Sequence, residues 1–190
     1  MKELLDTINK VVPLTDKEKE QISSSFKTLH LSKNDFWISA GKYCNHIAFV
    51  KSGKLRVFYF DDNANETTCY FVSENGFISS FSSFLMRIPT TENIIAIEDT
   101  ELLVIDRNEL ETLSEKVPKI QILRRIIAEN LFIYMEQRVA TLQSQTAGER
   151  YGKFMKENPD ILLSVPLQYT ASFLGITPQH LSRLRKEQPK

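Results

Sequence analysis

Leu167-Gln-Tyr-Thr-Ala-Ser-Phe-Leu-Gly-Ile-Thr-Pro-Gln-His-Leu-Ser-Arg-Leu-Arg-Lys186 carries more local constraint than any other stretch of the chain. It reads as two helices joined by a tight turn. Gly175 falls where the first helix must end, at a position that calls for left-handed backbone. Thr177 then offers a side-chain acceptor as an N-cap, and Pro178 has the fixed φ of a first helical residue. Ala171 is small where a second helix has to cross the first closely. Leu174, Ile176, Leu181 and Leu184 are apolar at the positions that meet in the angle between the helices. This spacing predicts a helix-turn-helix.

In such a motif the second helix enters the major groove and its first turns face base edges. The residues expected to point outward are Gln179, His180, Ser182, Arg183 and Lys186. Arg grips guanine O6 and N7 with two hydrogen bonds, and Gln grips adenine. Ser182 and Thr177 suit phosphate oxygens, which set register without reading sequence. The competing reading is a helical hairpin whose Arg and Lys face water. Upstream, Arg150 to Glu157 reads as a short helix ended by Asn158-Pro159, and Ile161–Val165 as a short strand before Pro166.

The rest of the chain bounds the setting. At 190 residues, 42% hydrophobic and 25% charged, it lies in the ordinary globular range. Its 24 basic and 24 acidic residues cancel, which excludes a wholly basic coat. From Glu149 to Lys190 there are seven basic residues against four acidic, so that segment is +3 and residues 1–148 are −3. The longest purely apolar run, Leu131 to Met135, is far short of a bilayer span, and the charged N-terminus lacks a secretory apolar core. Two cysteines, Cys44 and Cys69, are too few for a disulfide scaffold. A soluble, cytoplasmic protein is expected.

Residues 1–27 are expected to be helical, with Thr15 and Glu18 forming a capping box and Ile22 and Phe26 on one face. Between Phe36 and Asp106, β-branched and aromatic runs alternate with turn signals: Ile47–Val50, Leu55–Phe60, Thr67–Val72, Ile94–Ile97 and Leu102–Ile105. That rhythm predicts an antiparallel sandwich or barrel, with Asn75-Gly76 in a turn that needs positive φ. Pro118 then opens a run without Gly or Pro up to Gly148. Ile120, Leu123, Ile127, Leu131 and Tyr134 step along it at three to four residues. About 25 residues at 1.5 Å each make a rod of roughly 38 Å. An apolar surface that wide predicts contact with the sheet domain and with a twin helix across a two-fold axis, those five residues forming the dimer seam. A single helix lying on one monomer's core is the alternative.

A β-rich segment, a long helix and a C-terminal helix-turn-helix resemble the Crp–Fnr superfamily of bacterial regulators. The similar stretches include Ile38-Ser39-Ala40-Gly41, His46 to Gly53, Asn75 to Ile78 and Ile94 to Asp99, and Leu-Gly-Ile-Thr-Pro at 174–178 looks like the Bacteroidetes-type version. The resemblance implies an α+β protein: an N-terminal β jelly-roll of cyclic-nucleotide-binding type, a long dimerisation helix and a C-terminal helix-turn-helix. The expected bounds are 1–116, 117–145 and 146–190. It implies double-stranded DNA, a second copy of the chain, RNA polymerase and an unknown small-molecule effector as partners, and neither membrane nor cofactor.

Two departures stand out. In cyclic-nucleotide binders of this family a Gly-Glu pair follows the Phe-Ile pair, and an Arg-Ser or Arg-Thr pair comes ten residues after the Glu; here Ser79-Ser80 and Thr90-Thr91 stand in those places. A cyclic phosphate would lose a charge-assisted bond worth roughly 1.5–3 kcal/mol, so no useful cyclic-AMP affinity is expected. Ser79, Ser80, Ser82, Ser83, Thr90 and Thr91 either line a pocket for a small neutral ligand or are solvated loop residues. The second departure is the end of the sequence four residues after Lys186, where the family often adds a β-hairpin wing; no wing is expected.

Two other classes compete. Metal-dependent cupin chemistry also uses jelly rolls, but needs two or three His plus a carboxylate. His30, His46 and His180 show no such spacing, and no phosphate loop, Gly-x-Ser-x-Gly elbow or Cys-x-x-Cys pair is present, so neither metal site nor catalytic residue is expected. A ligand-binding or scaffold protein that kept the fold and lost DNA binding is the stronger rival.

Overall fold

The computed structural model describes residues 1–187, so Lys190, counted in the C-terminal charge, lies outside the described residues. The chain opens with α1 (Lys2–Val11) and α2 (Asp16–Ser25), the latter started by a capping box in which Thr15 and Glu18 satisfy each other's free amides. Leu4 and Ile8, one turn apart on α1, are fully buried.

Eight strands follow: β1 (Lys27–Leu31), β2 (Phe36–Ile38), β3 (His46–Ser52), β4 (Leu55–Phe60), β5 (Glu66–Val72), β6 (Phe77–Ile78), β7 (Asn93–Ala96) and β8 (Thr100–Asp106). They make two four-stranded sheets, ordered β1-β8-β3-β6 and β2-β7-β4-β5. β3 pairs antiparallel with β8, Ala48 opposite Val104 and Phe49 opposite Leu103. Their inward side chains, with Leu55, Val57, Ile78 and Ile94, are removed from water and supply the main driving force of this part. Gly53 joins β3 to β4 at φ +90°, and a Cβ there would fall 2.5 Å from Thr100 Oγ1. Any other residue would be both strained and obstructed.

The rhythm of apolar runs anticipated five of these strands. β1, β2 and β6 are shorter or more exposed, and α3 (Phe81–Met86) and α4 (Arg107–Lys116) lie in stretches where no helix was expected. In the expected Asn75-Gly76 turn Asn75 alone takes positive φ, 65°.

The long helix is α5 (Lys119–Ser144), 26 residues. Its start is tied down by Lys119 to Glu18 at 2.8 Å and Arg124 to Glu111 at 2.9 Å. Then come α6 (Ala147–Glu157), α7 (Pro159–Ser164), α8 (Leu167–Leu174) and α9 (Pro178–Glu187). The strand expected at 161–165 is a helix instead. Ile161 and Val165 are buried while Leu163 between them is 69% exposed, which is helical and not alternating spacing. Pro159 at the first helical positions fixes the backbone for it.

The chain forms two compact units. One joins residues 1–57 to Phe71–Asn130; the other joins the hairpin segment Phe58–Tyr70 to the chain from Leu131 onward.

Candidate nucleic-acid interface and sheet-domain interior

The helix-turn-helix is built as its residues dictate. Gly175 ends α8 at φ 67°, ψ 37°, its amide donating to Ser172 O, while the Ile176 amide reaches Ala171 O at 3.0 Å. These bonds satisfy carbonyls that a helix end leaves open. Thr177 caps α9, accepting the His180 amide on its hydroxyl at 3.2 Å. Ala171, Leu174, Leu181 and Leu184 are buried between the helices, while Ile176 is half-buried.

Two guanidiniums complete the end of α8. Arg138, on α5, donates to Phe173 O and lies 3.8 Å over the Phe173 ring. Burial is the main cause that lowers its pKa from the ordinary arginine value. Arg150, on α6, donates Nε to Leu174 O at 2.9 Å. The sequence offered one signal for these positioning residues. Arg138 is a cation on an otherwise apolar step of α5, and such a residue needs a partner.

On α9, Gln179, Arg183 and Lys186 recur at i, i+4 and i+7 and are exposed, opposite the buried Leu181 and Leu184. None has a partner among the described residues. Ser182 flanks this stripe half-buried, Thr177 is exposed at its head, and His180 is half-buried at its side. Five of the six candidate residues thus lie on α9 and Thr177 caps it, with Gln179, Arg183 and Lys186 at its outermost face.

The hydroxyls of the sheet domain are arranged in the opposite way. Ser79, Ser80, Ser83 and Thr90 are buried, so they are not solvated loop residues; only Ser82 and Thr91 are exposed. Ser80 and Thr90 hydroxyls meet at 2.7 Å, Ser79 donates to His46 O at 2.8 Å, and Ser83 donates to Ile88 O at 2.6 Å while accepting the Cys44 amide. The backbone adds a pair of bonds between Thr90 and the 41–42 turn. Glu92 lies beside Ser80, and its carboxyl is pushed above the usual carboxylate range by burial, against a Ser80 hydrogen bond that lowers it. Together these groups tie three loops to one another.

Residues 28–117 match the family model of the cyclic nucleotide-binding domain. That stretch runs from β1 through α4. Among solved structures, FixK2 from Bradyrhizobium japonicum is 15% identical with a TM-score of 0.76, covering 85% of this chain and 83% of that one. A crp/fnr-family regulator from Eubacterium rectale is 20% identical with a TM-score of 0.71, covering 92% and 83%. The c-di-GMP responsive global regulator CLP of Xanthomonas campestris is 14% identical with a TM-score of 0.73, covering 91% of each chain. At these identities the likeness establishes the fold: α+β, a cyclic-nucleotide-binding-like sandwich followed by helices. No curated protein sequence matches the chain.

Of the α5 stripe expected to form a dimer seam, Ile120 and Leu123 are 2% and 6% exposed, and Tyr134, 39% exposed, meets the Tyr70 ring edge-on. Ile127 and Leu131 are half-buried. A second line steps four, three, four and three residues along Ala128, Phe132, Met135, Val139 and Leu142; Met135 is half-buried and the other four are exposed. Of these, Phe132 is 69% and Val139 54% exposed. Among the described residues no group of three or more His, Cys, Asp and Glu is placed to hold a metal ion, and no helix is long and apolar enough to cross a membrane.

Proposed function

We propose that the chain is a transcriptional regulator of the Crp–Fnr type that works as a homodimer, reads palindromic duplex DNA with α9 and does not respond to cyclic AMP. The observation that carries this reading is the open stripe Gln179, Arg183 and Lys186 on a capped helix whose opposite face is buried. Arg183 and Gln179 have the donors and acceptors for guanine and adenine edges, while Lys186, Ser182 and Thr177 suit phosphates. His180 stands at the border of that surface.

The second line on α5 supports the dimer. Its alternating four- and three-residue steps are the spacing of a coiled-coil seam, which a twin helix would cover. Two copies would then present their α9 helices to half-sites roughly 34 Å apart. The buried bond between Ser80 and Thr90 supports the lack of cyclic-AMP response. These two neutral hydroxyls hold each other where the family places charged groups, so neither offers a phosphate a charge-assisted bond. Ser79, Ser80 and Thr90 are thus read as scaffold, and Thr91 as surface.

The test is fluorescence anisotropy with a labelled random-sequence duplex over a salt series. Binding should weaken steeply as salt rises, through release of counterions from phosphates; absence of binding at low salt refutes the reading. Phe132→Glu, at a position exposed in the monomer, should halve the sedimenting mass without unfolding the chain. An unchanged mass would place the dimer contact elsewhere.

A further inference from the structure

The hairpin between β4 and β5 belongs to a sheet, yet Phe58–Tyr70 packs as one unit with the helices that follow Leu131. The reason is visible at Ser172 on α8. Its hydroxyl accepts the Thr68 amide at 2.8 Å and donates to Glu66 O at 2.8 Å. β5 is the last strand of its sheet, and Ser172 bonds two of its backbone groups at once. The Tyr70 ring against Tyr134 at 6.3 Å adds a second attachment in the same unit.

The segment held there is acidic. Phe58 to Tyr70 contains Asp61, Asp62 and Glu66 and no Lys, Arg or His. Asp61 accepts the Asn65 and Asn63 amides at 2.8 and 2.9 Å, which closes the turn and holds its carboxyl below the usual range. Asp62 is exposed. At about 3.3 Å per strand residue, the tip carboxylates lie on the order of 10–15 Å from Ser172, one to two screening lengths at physiological salt. In helix-turn-helix complexes the first helix, here α8, crosses the phosphate backbone.

We propose that Ser172 latches the β4–β5 hairpin onto the helix-turn-helix as an electrostatic brake: the acidic tip, held beside α8, weakens association with DNA until the latch opens. This rests on the DNA-reading function proposed above. β5 continues from the latch, Glu66–Tyr70, into the sheet domain at Phe71–Val72, so a change in that sheet acts on the latch through the strand itself. The Gln179, Arg183 and Lys186 stripe stays open in the latched state. The brake therefore acts on affinity by charge and not by covering the reader.

The experiment compares full-length wild type, Ser172→Ala, Ser172→Thr and Asp62→Lys. Each is titrated with the random-sequence duplex at about 50 mM and about 300 mM salt, and the Thr68 amide is followed by hydrogen exchange. Ser172→Ala should expose the Thr68 amide to faster exchange and bind three- to tenfold tighter at low salt, with the gain shrinking at high salt as screening removes the repulsion. Asp62→Lys should bind tighter while Thr68 stays protected, and Ser172→Thr, which keeps the hydroxyl, should behave as wild type. Faster Thr68 exchange without tighter binding overturns the brake, and unchanged exchange in Ser172→Ala overturns the latch. If neither wild type nor any variant binds duplex, the DNA reading fails and the brake with it. If wild type binds and the variants bind no tighter, the brake alone fails.

Discussion

The sheet domain and the last helix use polar side chains in opposite ways. Around Ser80 and Thr90 the hydroxyls are buried and spend their bonds on one another and on neighbouring loops. Along α9, Gln179, Arg183 and Lys186 face outward without a described partner, while apolar residues hold the helix from behind. Buried polar atoms that are already bonded act as structure, because a ligand must break those bonds before making its own. Exposed polar atoms on a rigid, capped helix lose little on meeting an external partner. The contrast teaches where to look for recognition in this chain, and substitutions in the two regions should separate cleanly.

The largest effect is expected on α9. Arg183→Ala should cost about 1–3 kcal/mol of DNA binding at sites that place a guanine opposite it, with little change in melting temperature. Equal losses on all sequences would show that Arg183 touches phosphate only. Thr90→Val should do the reverse. It removes the hydroxyl that meets Ser80 and accepts the Glu92 amide, and should lower stability by about 1–2 kcal/mol, while Ser80→Ala with Thr90→Val should lose less than the sum of the two single changes; chemical denaturation of the four-member cycle checks this. Additive losses would mean that the two hydroxyls are not coupled.

A smaller effect is expected from acid. Glu18 is held at about 2, first by its bond from Lys119 and then by the Thr15 amide. Its folded value lies below the ordinary one, so its stabilisation is complete above pH 4.5 and is lost as pH falls toward 2. Glu18→Gln should flatten the acid limb of the stability profile over that window, and an identical limb would show that the pair is not formed in solution. The smallest effect is a null: isothermal calorimetry with millimolar cyclic AMP should show no binding heat. Micromolar affinity would mean that the Ser80–Thr90 bond opens readily.

Local rules made the ends of the elements legible. Gly175, Thr177 and Pro178 act as their chemistry requires, and Thr15 with Glu18 forms the expected capping box. The same signal was present and unread at Asp106 with Glu109, where α4 begins, and at Thr146 with Glu149, where α6 begins. Burial was harder to read. On α5 two lines of apolar residues both step at helical spacing, 120-123-127-131-134 and 128-132-135-139-142. Periodicity identifies a face without saying which way it turns. Arg138, in register with the first line, marks the side that finds a carbonyl and a ring. The run at 161–165 was too short for its period to be told apart from a strand. Ser172 gave no local signal at all, since its partners lie 104 and 106 residues away.

The most direct test of recognition through α9 is selection of bound fragments from a random duplex pool, followed by sequencing. A homodimer reading through Gln179 and Arg183 should enrich an inverted repeat with half-sites about 10 base pairs apart, centre to centre, and Arg183→Ala should blur one position in each half. A pool that emerges with no repeat, or a repeat that Arg183→Ala leaves untouched, would contradict it.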